Sequence, residues 1–144
     1  FYLHYDTPED VLRTFCTERQ GMLADIMKHQ DLKTSFNIQT AFYVLNQLIE
    51  QDIEIYRSIS GSHEYDFFWD QIQKTFQNSL YKLYYPEMNI SEAEASLLLE
   101  FYTSGIISSY RKWLNRELSI DLDTIADTLS SVSLYGIVAY LKEK

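Results

Sequence analysis

Only four glycines and two prolines punctuate the 144 residues of this chain. So few breakers leave no means of making the many tight turns of an all-β protein, and they favour long helices. The apolar residues agree, because they recur at three- and four-residue intervals over long stretches. A first helix is marked by Thr7 as N-cap, Pro8 at the first helical position, and Glu9 and Asp10 at the positive end of the dipole. Its stripe runs from Val11 and Leu12 through Phe15, Cys16 and Met22 to about His29, with Gly21 tolerated inside it.

Residues 30–36 read as a polar loop, and Asn37 as the N-cap of a second helix. Phe42, Leu45, Leu48 and Ile49 carry its stripe, which Ile53 and Tyr56 extend past a kink near Gln51. After a loop over 58–63, Tyr65, Phe68, Trp69, Ile72, Phe76 and Leu80 line a third long helix, stopped by Pro86. Ser91 and Glu94 have capping-box spacing ahead of a fourth helix that ends near Arg116. The last begins after Asp121 or Asp123 and runs to the end of the chain. The expected fold is therefore all-α, an antiparallel bundle of five or six helices.

The last two helices carry small residues inside apolar faces: Ser104, Gly105, Ser108 and Ser109 on one, Ser130, Ser133, Gly136 and Ala139 on the other. The final helix is apolar on more than one face, with Ile125, Leu129 and Val132 on one line and Leu134, Ile137, Val138 and Leu141 on others. A terminal helix of a small bundle needs one wet face, so a second copy of the chain is expected to cover part of this surface.

No catalytic signature is present: there is no GxSxG, Walker loop, GxGxxG or HExxH. His4, His29 and His63 are far apart, and none pairs with Cys16 at ligand spacing, so neither a metal nor a cofactor is expected. Cys16 sits on the first apolar stripe as a small core residue. One cysteine excludes an internal disulfide framework and fits a reducing compartment, the cytoplasm. No run of about 18 apolar residues occurs, so no membrane span is expected. The net charge of −9 repels nucleic acid, so any DNA-binding charge must lie outside these residues.

Aromatic residues make up 15% of the chain, twelve of them Tyr, and many fall on the first four helices. Phe15, Phe42, Tyr43, Phe68, Trp69, Phe76 and Tyr102 are the candidates for the lining of an apolar cavity with a few phenolic hydroxyls. A tightly packed aromatic core without a cavity is the alternative.

The opening "FYLHYDTPEDVL" resembles the junction between the two domains of TetR/AcrR-family transcriptional regulators, where a recognition helix ends and the linking helix starts. Phe1, Tyr2, His4 and Tyr5 match the end of the recognition helix, with Tyr5 in place of the commoner Phe. Residues 101–114, "FYTSGIISSYRKWL", resemble a signature helix of one branch, with Gly105 and Trp113 as its fixed points.

The resemblance implies that residues 1–5 end a helix-turn-helix domain and that 6–144 form a regulatory domain for ligand binding and dimerisation. It places Tyr2 and His4 on DNA phosphates and the effector pocket between the linking helix and the helices before the last two. It makes those last two helices a four-helix dimer interface, with Gly105, Ser109, Trp113, Leu129, Ser133, Gly136 and Tyr140 as its candidates. The chain departs from the family where a Lys often opens the linking helix, for Asp6, Thr7, Pro8 and Glu9 stand here.

The function implied is a ligand-responsive repressor: a homodimer that reaches DNA through the preceding domain and answers a small hydrophobic or aromatic effector. A TetR-fold coactivator or dimeric adaptor working through protein contacts is the second reading, and an unrelated helical ligand-binding or enzymatic bundle the third.

Overall fold

Local hydrogen bonds set where each helix starts. In the computed structural model, which describes residues 7–29 and 35–142, α1 spans Pro8–His29. The Asp10 amide donates to Thr7 Oγ1 at 3.2 Å, and the Thr7 amide donates to Asp10 Oδ2 at 3.2 Å. This reciprocal pair is a capping box with Asp in the usual Glu position. Tyr2 and His4 lie outside the described residues.

The second helix, α2, spans Ser35–Gln51 and so begins ahead of the expected cap at Asn37. Asn is accommodated in a first turn because backbone donors there have no intrahelical partner anyway. The expected kink is a break at Asp52, after which α3 spans Ile53–Ser60. This helix runs into the expected loop, where Ser58 and Ser60 turn their hydroxyls onto the carbonyls of Glu54 and Arg57, both at 3.1 Å. A 3₁₀ turn at His63–Tyr65 leads into α4, Asp66–Tyr84, which ends in a second 3₁₀ turn, Tyr85–Glu87, holding Pro86.

The capping box of α5, Glu92–Leu114, is complete: the Glu94 amide donates to Ser91 Oγ at 3.2 Å, and the Ser91 amide to Glu94 Oε1 at 3.4 Å. The helix stops at Leu114, short of Arg116, because a Schellman turn closes it. The Glu117 amide donates to the Lys112 carbonyl at 2.9 Å and the Arg116 amide to the Trp113 carbonyl at 3.0 Å. Arg116 occupies the left-handed position with φ of 65°, where glycine is the usual residue. Arg116→Gly is therefore expected to stabilise the protein by about 0.5–1 kcal/mol, read as a higher urea midpoint with an unchanged slope. Asp121 is the cap of α6, Leu122–Lys142: the Thr124 amide donates to its Oδ1 at 2.7 Å and holds this carboxyl below its usual range.

Six α-helices and no strand occur among the described residues. α1 packs on α4, α4 on α5, and α2 on α6, with α5 also meeting α6. Neighbours run antiparallel, as the residue pairs show. Asp66 at the start of α4 accepts from Arg111 near the end of α5 at 2.8 Å. Gln39 and Asn46 on α2 donate to Asp127 and to the Leu122 carbonyl on α6, both at 2.8 Å, so the later α2 residue meets the earlier α6 one. The core lies between these pairs and is largely aromatic: Phe15, Phe42, Tyr56, Phe68, Trp69 and Phe76 are all buried. Cys16 is buried among them, and burial pushes its thiol up to about 11, which makes it inert at neutral pH. By length and composition α6 is apolar enough to cross a membrane, but its N-terminal half is committed to this core through Leu122, Ile125 and Ala126.

Candidate effector cavity and exposed helix face

A cavity of about 50 Å³ lies inside the bundle. α2 contributes Leu45, Leu48 and Ile49, α4 contributes Phe68, Trp69, Ile72 and Phe76, and α5 contributes Ile106, Ile107 and Tyr110. Each set has the three- and four-residue spacing of an inward helical stripe. Tyr56 enters from α3 and Arg19 from α1. The volume holds a few waters and falls short of the roughly 150 Å³ apolar cavity that takes a benzene ring.

Three polar side chains, Arg19, Tyr56 and Tyr110, enter this wall, and Asn46 stands behind Tyr110. The Tyr110 hydroxyl donates to Asn46 Oδ1 at 2.7 Å, and Asn46 Nδ2 donates to the Leu122 carbonyl at 2.8 Å. One buried amide thus joins α5 to the start of α6. Burial drives the Tyr110 phenol far above its usual range and raises the Tyr56 phenol to about 12, the latter against the opposing pull of Arg19. Both phenols are therefore neutral at physiological pH. Arg19 forms an ion pair with Asp52 and lies 4.5 Å from the centroid of the Phe15 ring.

The expected pocket residues divide by direction. Phe68, Trp69 and Phe76 line the cavity. Phe15 and Phe42 are buried just behind the wall, Phe15 edge-on to Tyr56 at 5.3 Å and Phe42 stacked on Tyr110 at 6.4 Å. Tyr43 and Tyr102 do not line it. The Tyr43 hydroxyl donates to Asp127 Oδ1 at 2.5 Å, and that carboxylate raises its pKa. Tyr102 lies over Gly136, where an added Cβ would come within 2.0 Å of the phenol oxygen. The reason is rotational: residue 43 is about 100° around the helix from inward-facing Phe42. Arg19 and Asn46 are not among the expected residues, because both are polar. Their spacing held the signal, since Arg19 follows Phe15 by four positions and Asn46 follows Phe42 by four.

The second feature is an exposed apolar face on α5 and α6. Leu97 and Phe101 are 71% and 70% exposed, and Val132 and Tyr135 are 60% and 74% exposed. Leu97, Phe101 and Gly105 form one line at four-residue spacing, and beyond the helix's own backbone nothing lies within 4 Å of a Cβ built on Gly105. Of the expected interface residues, Gly105 is the exposed one. Ser109 is half-buried and donates to the Gly105 carbonyl at 2.8 Å, and Ser133 is half-buried. The others turn towards their own chain. Trp113 Nε1 donates to the Ile120 carbonyl at 2.5 Å beneath the Arg57 guanidinium, Leu129 packs on the core, Gly136 sits under Tyr102, and Tyr140 hydrogen-bonds Glu94.

No cluster of His, Cys, Asp and Glu that could hold a metal ion occurs among the described residues. Residues 37–134 match the family model described as "Transcriptional regulator C-terminal region", of the TetR type. No curated protein and no solved structure matches the chain. The match spans more than half of the sequence, from α2 to the middle of α6, and coincides with an all-helical bundle. The chain belongs to the TetR family of transcriptional regulators and carries their C-terminal region.

Proposed function

We propose that this chain is the effector-sensing and dimerising part of a cytoplasmic, ligand-responsive TetR-type repressor. DNA contact would be made by a domain preceding α1, with Tyr2 and His4 on the phosphates. The observation that carries the ligand response is the cavity, because α1 supplies its wall through Arg19 while α2, α4 and α5 supply the rest. A guest that enlarges this space pushes on α1, the helix leading to the DNA-binding end. It shifts the equilibrium only by its preference for the displaced state.

Leu45→Phe, which fills the cavity from a half-buried position, tests this. The variant is expected to keep its stability to within about 1 kcal/mol, since the added ring enters existing space. It should lose at least about tenfold in affinity for small apolar guests, measured by calorimetry, and release operator DNA less readily when they are added. Unchanged ligand affinity in a folded variant would count against this cavity as the effector site.

A further inference from the structure

The cavity lining is mostly apolar, and Arg19 is its one charged side chain. A guanidinium keeps its charge at any physiological pH, so in an apolar wall it requires an anion. Asp52, at the break between α2 and α3, supplies one. The guanidinium is still not saturated, for its Nε is buried and has no hydrogen-bond partner. Asp52 is also unusual on its own account. It occupies the N-cap position of α3, where an aspartate side chain ordinarily accepts from the first free amides, yet it makes no such bond. Its carboxylate is on Arg19 instead. Asp52 therefore has two alternative partners within reach of one side chain: the cation at the cavity and the N-terminus of α3.

We infer that the effector is a small amphiphilic acid, with an apolar ring or chain in the cavity and one carboxylate that takes Arg19 from Asp52, which then turns to cap α3. The inference rests on the ligand-response reading above. A carboxylate matches the planar fork of arginine with two parallel hydrogen bonds. In the exchange no charge is stranded: Arg19 keeps an anion, and Asp52 gains the positive end of a helix. An amide or alcohol of the same shape must displace Asp52 without supplying an anion and so binds more weakly, while a cation is repelled by Arg19. The exchange also breaks the ion pair that ties α1 to the α2–α3 junction. Withdrawal of α1 then gives the cavity the room that a phenyl or octyl body needs.

The test uses the full-length protein and matched probes, 4-phenylbutyrate against 4-phenylbutyramide and octanoate against octanamide, by calorimetry with tryptophan emission as a second readout. The acids are expected to bind about tenfold or more tightly than the amides, the scale of a charged hydrogen bond. Arg19→Met should lower the acids at least about tenfold and abolish their advantage over the amides, with circular dichroism and urea unfolding showing that the variant is folded. Asp52→Asn should tighten the acids, because the competing carboxylate is gone. Equal binding of acids and amides, or an equal loss of both in Arg19→Met, overturns the carboxylate assignment and leaves the ligand response standing. Absence of binding by both classes overturns the two together.

Discussion

Asn46→Ala is expected to lower the unfolding free energy by about 3–5 kcal/mol, a large part of the roughly 5–15 kcal/mol that holds a domain of this size together. The side chain is 2% exposed and sits where three helices meet. Its removal leaves the Tyr110 hydroxyl and the Leu122 carbonyl without their side-chain partner, and each buried group then bears a desolvation cost of about 1–3 kcal/mol. The small cavity left behind adds to this. Tyr110→Phe is the control. It removes one hydroxyl and leaves one Asn46 lone pair unmatched, so its cost is expected near 1–2 kcal/mol. Urea unfolding of the two single variants and the double variant completes a thermodynamic cycle. The double variant should cost less than the sum of the singles, because the pair shares one bond. An Asn46→Ala loss below about 1 kcal/mol would show that the bridge between α2, α5 and α6 is not what orients α6.

The combination of Phe101→Glu and Val132→Glu is expected to convert the proposed dimer into a monomer, raising the dissociation constant at least about 100-fold. Both side chains project from the exposed apolar face, at 70% and 60% exposure. In a two-fold interface each substitution occurs twice, so four carboxylates replace apolar area and face like charge across the symmetry axis. Unfolding stability of the monomer should move little, since neither side chain is committed to the core. Sedimentation equilibrium at micromolar concentration reads the outcome. Gly105→Leu belongs in the same series: beyond its own helix backbone no atom lies within 4 Å of the added Cβ, so weakening in a folded variant reports on the partner. A wild-type monomer at micromolar concentration would refute the dimer.

These two effects come from different parts of the molecule, and they were not equally visible in the sequence. The apolar face was anticipated through its small residues, yet Leu97, Phe101, Val132 and Tyr135 form its exposed part. Small residues mark any close helix approach, and here Gly136 serves the contact with Tyr102 inside the chain. Likewise, aromatic content pointed to a cavity without telling wall from second layer. Phe15 and Phe42 differ from Phe68 and Phe76 only in rotation about their helix axes, which periodicity resolves to about 100° per residue.

By itself the sequence determined the helices and most of their ends, because these depend on local chemistry. Thr7 with Asp10, Ser91 with Glu94, and Pro86 act on the backbone within a few residues. The one cap left open, Asp121 or Asp123, needed the observed bond to Thr124. Tertiary structure alone decided the partners of the buried polar side chains. Asn46 meets Tyr110 and Leu122, and Arg19 meets Asp52, across 64, 76 and 33 positions. Whether a polar residue on an apolar stripe is an error, a bridge or a site depends on what stands opposite it, and that is a property of the packed helices and not of any one of them.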